Sequence, residues 1–262
     1  MTVKQPIDIA PIDYDAHCPF PYNNFIFRVP LAVPVTSATF SGSQPCTVQL
    51  SEDVSDLVIR LSNHKADGLV HENRTENEVA SIELTRRGLL ASRQPEVISA
   101  LPAIFAWKPA VDGGYGWIVM DFKPGVQLSE VLADLPEEKK TAVIGQIADI
   151  FAGVQQAPLP ESIRGHYGGL AINEKGEIVP GKMTTLQGGP WTSYAEVWKT
   201  KFGNTLVDAD KSHVIAGWKK EGDGGLREQI VRFVDQDLEK YLEKNGILMS
   251  AQGLVHGDFS KF

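Results

Sequence analysis

The residues with the most direct chemical meaning lie in the last stretch of the chain. The segment from Leu254 to Phe262 runs from an apolar pair into His256-Gly257-Asp258. A His-x-Asp turn after a buried strand can present the Asp258 carboxylate at the lip of a cleft, with His256 bracing the loop. A carboxylate so placed can take the proton of a hydroxyl group that attacks a phosphate. The alternative is an ordinary surface turn, because Gly-Asp is a common turn pair.

Composition and charge limit the classes of function. The chain has 262 residues, a hydrophobic fraction of 42% and a formal net charge of −8. The negative charge argues against a nucleic-acid backbone as partner, although a local cationic pocket remains compatible with it. Cys18 and Cys46 are too few for a disulfide framework or a cysteine zinc site. The start of the chain lacks a signal-peptide core and no apolar run could span a bilayer, so we expect a cytoplasmic protein with no membrane contact.

The first strands and their turn come early in the chain. Residues 1–30 contain many prolines and predict an irregular arm. Residues 33–40 and 47–50 have the β-branched or alternating pattern of two strands, with a turn between them. Within that turn, the backbone of Ser41, Gly42 and Ser43 can lie over phosphates, or the turn is a plain hairpin connection.

A cation lies in the middle of the clearest predicted strand, residues 56–61, where Arg60 shares a face with Val58. Such a cation is costly to bury unless it meets an anion, so Arg60 is either a solvated edge residue or the partner of a phosphate or carboxylate. The following helix offers that carboxylate in Glu78. Glu78 also stands at the capping-box position relative to Thr75, so the two roles compete for one side chain.

The second half of the chain reads as mainly helical after a break. Residues 102–107 and 116–122 predict a strand pair, and Lys123-Pro124-Gly125 marks a boundary between two lobes. Several further elements are predicted beyond it: a helix after Pro136 with a buried apolar stripe including Ile144 and Ile147, a hairpin around 174–176, a helix capped by Thr192 or Ser193, a helix over 230–242 ended by Asn245-Gly246, and a final strand before His256.

In this order the motifs resemble the aminoglycoside phosphotransferase and choline kinase-like family, which has a protein-kinase-like fold. The matching segments are 41–43, 58–61, 76–79, 118–125 and 254–259. The resemblance implies an α+β fold with two lobes. Residues 1–30 would be an N-terminal arm, residues 31–122 a β-rich nucleotide-binding N-lobe, and residues 123–262 a mainly helical, truncated C-lobe.

The resemblance also implies a role for each matching position. Asp258 would be the catalytic base, and His256 would brace its loop. ATP and Mg²⁺ would be the cofactors, and a hydroxyl of a small molecule would accept the phosphoryl group. The nucleotide-binding positions would be Ser41, Gly42 and Ser43 over the phosphates, Arg60 paired with Glu78 beside them, and the backbone of Met120, Asp121 and Phe122 along the adenine.

Two departures from the family pattern affect this expectation. Arg60 stands where the family often has a phosphate-binding lysine; it keeps the charge but brings a bidentate fork. The family's metal-binding Asn and Asp follow His-Gly-Asp, and Phe262 comes before them. We therefore expect a C-terminally truncated member with no metal ligands, little activity and self-association through an exposed C-lobe. The alternatives are a non-catalytic nucleotide-binding pseudokinase, a gene fragment, or a metal-assisted hydrolase using His256 and Asp258.

Overall fold

The structure is a computed structural model in which a β-sheet and a long helix precede a mainly helical half, and its mixed composition confirms the predicted α+β class. The residues it describes are 10–11, 22–35, 44–49, 54–66, 68–92, 95–111, 114–215, 218, 225–249 and 252–255.

The sheet has five antiparallel strands in the order β1-β2-β3-β5-β4. They are β1 (Ala10–Pro11), β2 (Asn24–Val35), β3 (Val54–Ser62), β4 (Ile104–Lys108) and β5 (Trp117–Asp121). The central strand β3 carries the predicted cation. Arg60 is paired with Ile26 of β2 on one side and with Ile118 of β5 on the other. The predicted strand pair over residues 102–122 is confirmed as β4 and β5.

The sheet begins earlier in the chain than the sequence indicates. Residues 24–30, predicted to be irregular, form the first half of β2 and pair with residues 56–62 of β3. Pro30 is the last residue before the register of β2 shifts, a position where a missing N–H is tolerated. The second predicted strand is wrong for residues 47–49, which belong to no strand. There, Val48 donates one N–H to the Ile104 carbonyl at 2.8 Å.

The long helix α1 (Arg74–Ala91) packs on one face of the sheet. Its core contacts are formed by Val58, Val79, Ile104, Trp107, Ile118 and Met120. The helix begins at Arg74, and Asn73 at its N-cap makes no side-chain capping bond with the described residues. The predicted capping box of Thr75 and Glu78 is therefore wrong, because Thr75 already lies inside the first turn.

The remaining described elements are helices and one hairpin. They are α2 (Pro95–Ile98), α3 (Leu128–Val131), α4 (Glu137–Gln155), β6 (Gly169–Ile172), β7 (Ile178–Gly181), α5 (Tyr194–Lys211), α6 (Leu226–Arg232), a π-helical segment (Phe233–Asp237), α7 (Leu238–Lys244), and two 3-10 helices (Leu132–Asp134 and Ile247–Met249). The hairpin is confirmed. So is the cap of α5, where Ser193 and Glu196 form a capping box. Gly246, at φ +69°, follows α7 as predicted.

Two predictions about the second half are wrong. The apolar stripe of α4 is only half-buried: Ile144 is 60% exposed, the other stripe residues are partly covered, and Gly153 is the one buried residue of this fully described helix. The strand expected before His256 is absent from the described residues 252–255. Leu254 packs instead against a core between α1 and the hairpin that includes Leu84, Leu170 and Ile178.

Candidate functional site

A cleft of about 550 Å³ opens where the sheet gives way to the second half of the chain. Its apolar floor is formed by Ile26, Val58, Met120 and Phe122. The cleft's other lining residues, which include charged side chains at its mouth, are Pro102, Asp121, Lys123, Gly125, Val126, Gln127 and Glu130. A concave site of this size with an apolar floor and a few polar groups suits a flat ring system with a polar extension.

The segment from Met120 to Phe122 lines this cleft, and contacts with neighbouring residues fix the positions of its side chains. The Asp121 carboxylate accepts a hydrogen bond from the Ala103 N–H at 2.7 Å and pairs with Lys123 at 2.7 Å. Because both oxygens are engaged, Asp121 fixes the local backbone rather than facing the cleft as a free charge. Met120 is buried, at 8% exposed, and forms part of the cleft floor.

Arg28 holds the Phe122 ring and was not singled out from the sequence. Its guanidinium lies 4.1 Å from the ring centroid and donates to the Asp56 carboxylate at 2.9 Å. A cation over an aromatic face is stabilising and restricts the ring. The alternating pattern of β2 was the available signal, but the prolines around it concealed the strand.

Arg60 and Glu78 form the ion pair that the sequence offered as one of two readings. The Arg60 Nη1 atom donates to Glu78 Oε1, which joins the central strand β3 to helix α1. Desolvation raises the pKa of the Glu78 carboxyl, and the guanidiniums of Arg60 and Arg74 partly offset this rise. The reading of Arg60 as a solvated edge residue is wrong, since β3 is the central strand of the sheet.

A second guanidinium, that of Arg74, lies beside the Arg60–Glu78 pair. Arg74 is 9% exposed and donates from Nη2 to the Asn24 side-chain oxygen at 3.1 Å. Arg60, Arg74 and Glu78 line one small pocket, with Ser62 and Thr75 also on its wall. Within the described part of the chain, Arg60 Nε and Arg74 Nη1 are buried without a hydrogen-bond partner. Sequence reasoning missed Arg74, although its spacing of four residues before Glu78 was a signal.

The structure does not describe all of the predicted site residues. Ser41, Gly42, Ser43, His256 and Asp258 lie outside the described residues, so their roles stay predictions.

The approach to His256 is well anchored. The Gln252 side chain donates to the His166 carbonyl at 2.9 Å and accepts from the Gly165 N–H at 2.7 Å. These two bonds and the packing of Leu254 against the core beneath α1 fix the segment in place, while Val255 is 86% exposed.

The described residues fit some of the expected cofactor groups and not others. An apolar floor followed by a cation fits a nucleotide's base and phosphates. The described part of the chain contains no group of three or more His, Cys, Asp or Glu side chains that could hold a metal ion, so no described residue is assigned to Mg²⁺. Among the same residues, no helix is long and apolar enough to cross a membrane.

Comparison with known proteins adds a family to this geometry. The sequence model described as the phosphotransferase enzyme family matches residues 41–261. This range includes the part of the cleft floor on β3 and β5, the residues Arg60 and Arg74, and the His-Gly-Asp motif. A search of curated proteins finds no match.

Proposed function

Because the chain belongs to the phosphotransferase enzyme family, we propose that it binds ATP in the cleft and transfers the terminal phosphoryl group to a hydroxyl of a small molecule. The observation that carries this proposal is the continuity of the cleft floor with a cation on one face of β3. Val58 lines the cleft, and Arg60, two residues further along the same strand face, reaches Glu78.

The adenine would lie on Ile26, Val58 and Met120, along the backbone of residues 120–122. This orientation directs the phosphates toward Arg60, which would neutralise part of their charge. Asp258 would accept the proton of the attacking hydroxyl, with His256 supporting its loop. Ser41, Gly42 and Ser43 would cover the phosphates from the other side. Mg²⁺, when bound, would supply positive charge that neutralises the phosphates; no described residue is assigned to it.

Calorimetry with ATP and with adenosine tests the binding part of the proposal. We expect both ligands to bind with one site per chain, and ATP to bind more tightly than adenosine because only ATP reaches Arg60. A folded sample that binds neither compound contradicts the proposal.

Release of labelled phosphate from γ-labelled ATP tests the chemistry. Asp258→Asn preserves the shape of the side chain but removes its basicity, so the rate should fall while ATP affinity stays within about threefold of the wild type. Equal rates in the two proteins would remove Asp258 from the reaction.

A non-catalytic nucleotide-binding protein is the second candidate. It is favoured by one observation: Arg60 is held by Glu78 in a pocket of about 10 Å³ that leaves no room for a phosphate. In that case ATP binds, Mg²⁺ does not change the affinity for ATP, and neither the wild type nor Asp258→Asn releases phosphate. The acceptor class and the impaired activity stay predictions under the phosphotransferase candidate. A cytoplasmic location stays a prediction under both candidates.

A further inference from the structure

Arg74 occupies a position that is unfavourable for a cation on three counts. It is buried, it is the first residue of α1, and it lies beside another guanidinium. The amino end of a helix carries partial positive charge, which disfavours a cation there. Desolvation and the neighbouring Arg60 both lower the pKa of Arg74, and Glu78 opposes them. Glu78 is therefore the anion that makes this placement tolerable.

The pocket around these groups is too small for a phosphate. Its volume is about 10 Å³, and a cavity needs roughly 10–15 Å³ to hold a single water molecule. An anion therefore cannot enter between Arg74 and Glu78 in this arrangement. Two guanidiniums share one carboxylate, and only Arg60 has a direct hydrogen bond to it among the described contacts.

We propose that Arg74 is a positioning residue that holds Glu78 when the phosphates of ATP draw Arg60 away. This inference rests on the proposed function for its trigger. The Glu78 side chain is 22% exposed, and a half-buried carboxylate left without a cation is destabilising. Arg74 lies four residues earlier on the same helix and on the wall of the same pocket. It becomes the cation beside Glu78 once Arg60 has moved, and α1 stays docked on the sheet while Arg60 contacts ATP.

A set of urea-unfolding measurements without nucleotide tests the exchange. The coupling between Arg74 and Glu78 is obtained from Arg74→Met, Glu78→Gln and the double variant, first with Arg60 present and then in an Arg60→Met background. Arg60→Met imitates the state in which Arg60 has left. We expect the coupling to be larger in that background; an equal or smaller coupling overturns the proposal. The pair Arg87 and Glu83, which has the same spacing of four residues further along α1, is the matched control and should not respond to Arg60→Met.

ATP affinity provides the second readout and a conservative variant. Arg74→Met should weaken ATP binding about fivefold when Glu78 is present and leave it unchanged in the Glu78→Gln background. Arg74→Lys keeps the charge and should retain most of the ATP affinity of the wild type. This variant also provides a measurement if the methionine variants fail to fold. A loss that persists in Glu78→Gln means direct contact of Arg74 with phosphate and contradicts the exchange. A further outcome is that the wild type binds no ATP while the Arg74–Glu78 coupling is still larger in the Arg60→Met background. That result contradicts the proposed function but supports the pairing of Arg74 with Glu78.

Discussion

At the scale of single residues, Arg60 illustrates how a costly placement is compensated. It lies in the central strand under α1, and its charge is met by Glu78 rather than by solvent. Asp121 follows the same rule, because its carboxylate is held by the Ala103 N–H and by Lys123. These half-buried charges in the sheet are thus each met by at least one hydrogen-bond or ion-pair partner rather than by solvent alone.

Under the proposed function, we expect replacement of Arg60 to separate phosphate recognition from base recognition. Arg60→Ala should weaken ATP binding by about 1.5–3 kcal/mol, the value of a charge-assisted contact, and leave adenosine binding unchanged. Calorimetry with both ligands measures this, and Arg87→Ala on the exposed side of α1 is the control. Equal losses for both ligands would show that Arg60 shapes the cleft without contacting phosphate.

The thiol of Cys46 should be unreactive in the folded protein. Burial, followed by the nearby Glu83 carboxylate, raises the pKa of Cys46 from 9.0 to about 11. At pH 8 the thiolate fraction then falls about a hundredfold relative to the unfolded chain. In a Cys18→Ser variant, alkylation by iodoacetamide should be slow in buffer and fast in urea. Because the folded pKa is the higher one, this thiol's contribution to stability is complete below pH 9.0 and declines as the pH rises toward 11. Similar alkylation rates in buffer and urea would contradict the burial of Cys46.

At the scale of elements, α1 and α4 touch through glycines. A Cβ added at Gly88 would lie 2.2 Å from the Gly153 carbonyl oxygen and 2.9 Å from Ala157 Cα. Both obstacles are backbone atoms, which cannot rotate away as a side chain can. The two helices are therefore close because position 88 carries no side chain.

Alanine at two glycines should have opposite effects. Gly88→Ala forces the helices apart and should lower the free energy of unfolding by about 1–3 kcal/mol, the range of overpacked cores. Gly145→Ala on α4 meets open space, and there alanine should stabilise the helix by about 0.5–1 kcal/mol. Urea denaturation of both variants measures the difference. A neutral Gly88→Ala would mean that the two helices can separate without loss.

At the scale of the whole molecule, the hairpin β6–β7 connects the helical half to α1. The Leu170 N–H donates to the Asn77 side-chain oxygen at 2.7 Å, and Leu170 itself is buried at 6% exposed. The core beneath this contact also receives Leu254, from the segment that leads to His256. The Asn77 bond thus lies where the sheet half, the helical half and the approach to Asp258 meet.

Removing the Asn77 oxygen should loosen this junction. Asn77→Leu leaves the buried Leu170 N–H without an acceptor, which should cost about 1–3 kcal/mol of unfolding free energy. Asn77→Asp retains an acceptor and should be milder, so it is the matched control. Hydrogen exchange at Leu170 reports the local effect. Equal losses in the two variants would show that the side chain's volume, and not its hydrogen bond, matters here.

The exposed apolar surface of the helical half predicts self-association. Ile144, Leu226 and Tyr241 are 60%, 58% and 53% exposed. Exposed apolar surface favours contact between molecules. Light scattering should give an average mass that rises above 28.7 kDa with concentration. Ile144→Lys should reduce the rise, whereas Gln146→Lys, which adds the same charge at an exposed polar position of α4, should not. A constant monomer mass would contradict the prediction.

The sequence by itself determined the features whose causes are local. The alternation of residues 56–61 and 117–121, the hairpin turn near Gly176, and the Ser193–Glu196 capping box depend on neighbours a few residues apart. The order of the segments 41–43, 58–61, 76–79, 118–125 and 254–259 was sufficient to indicate the family and the α+β class. Periodicity, turn chemistry and capping need no knowledge of the rest of the fold.

Only the tertiary structure decided the choices between distant partners. Glu78 had two plausible roles within the sequence, and the position of β3 under α1 selected Arg60 over the cap. Arg74 gained its meaning from the same carboxylate, and Ile144 lost its expected burial because no described element covers it. Burial and ion pairing depend on which surfaces meet in space, and a side chain's pattern along its own helix or strand does not specify the partner surface.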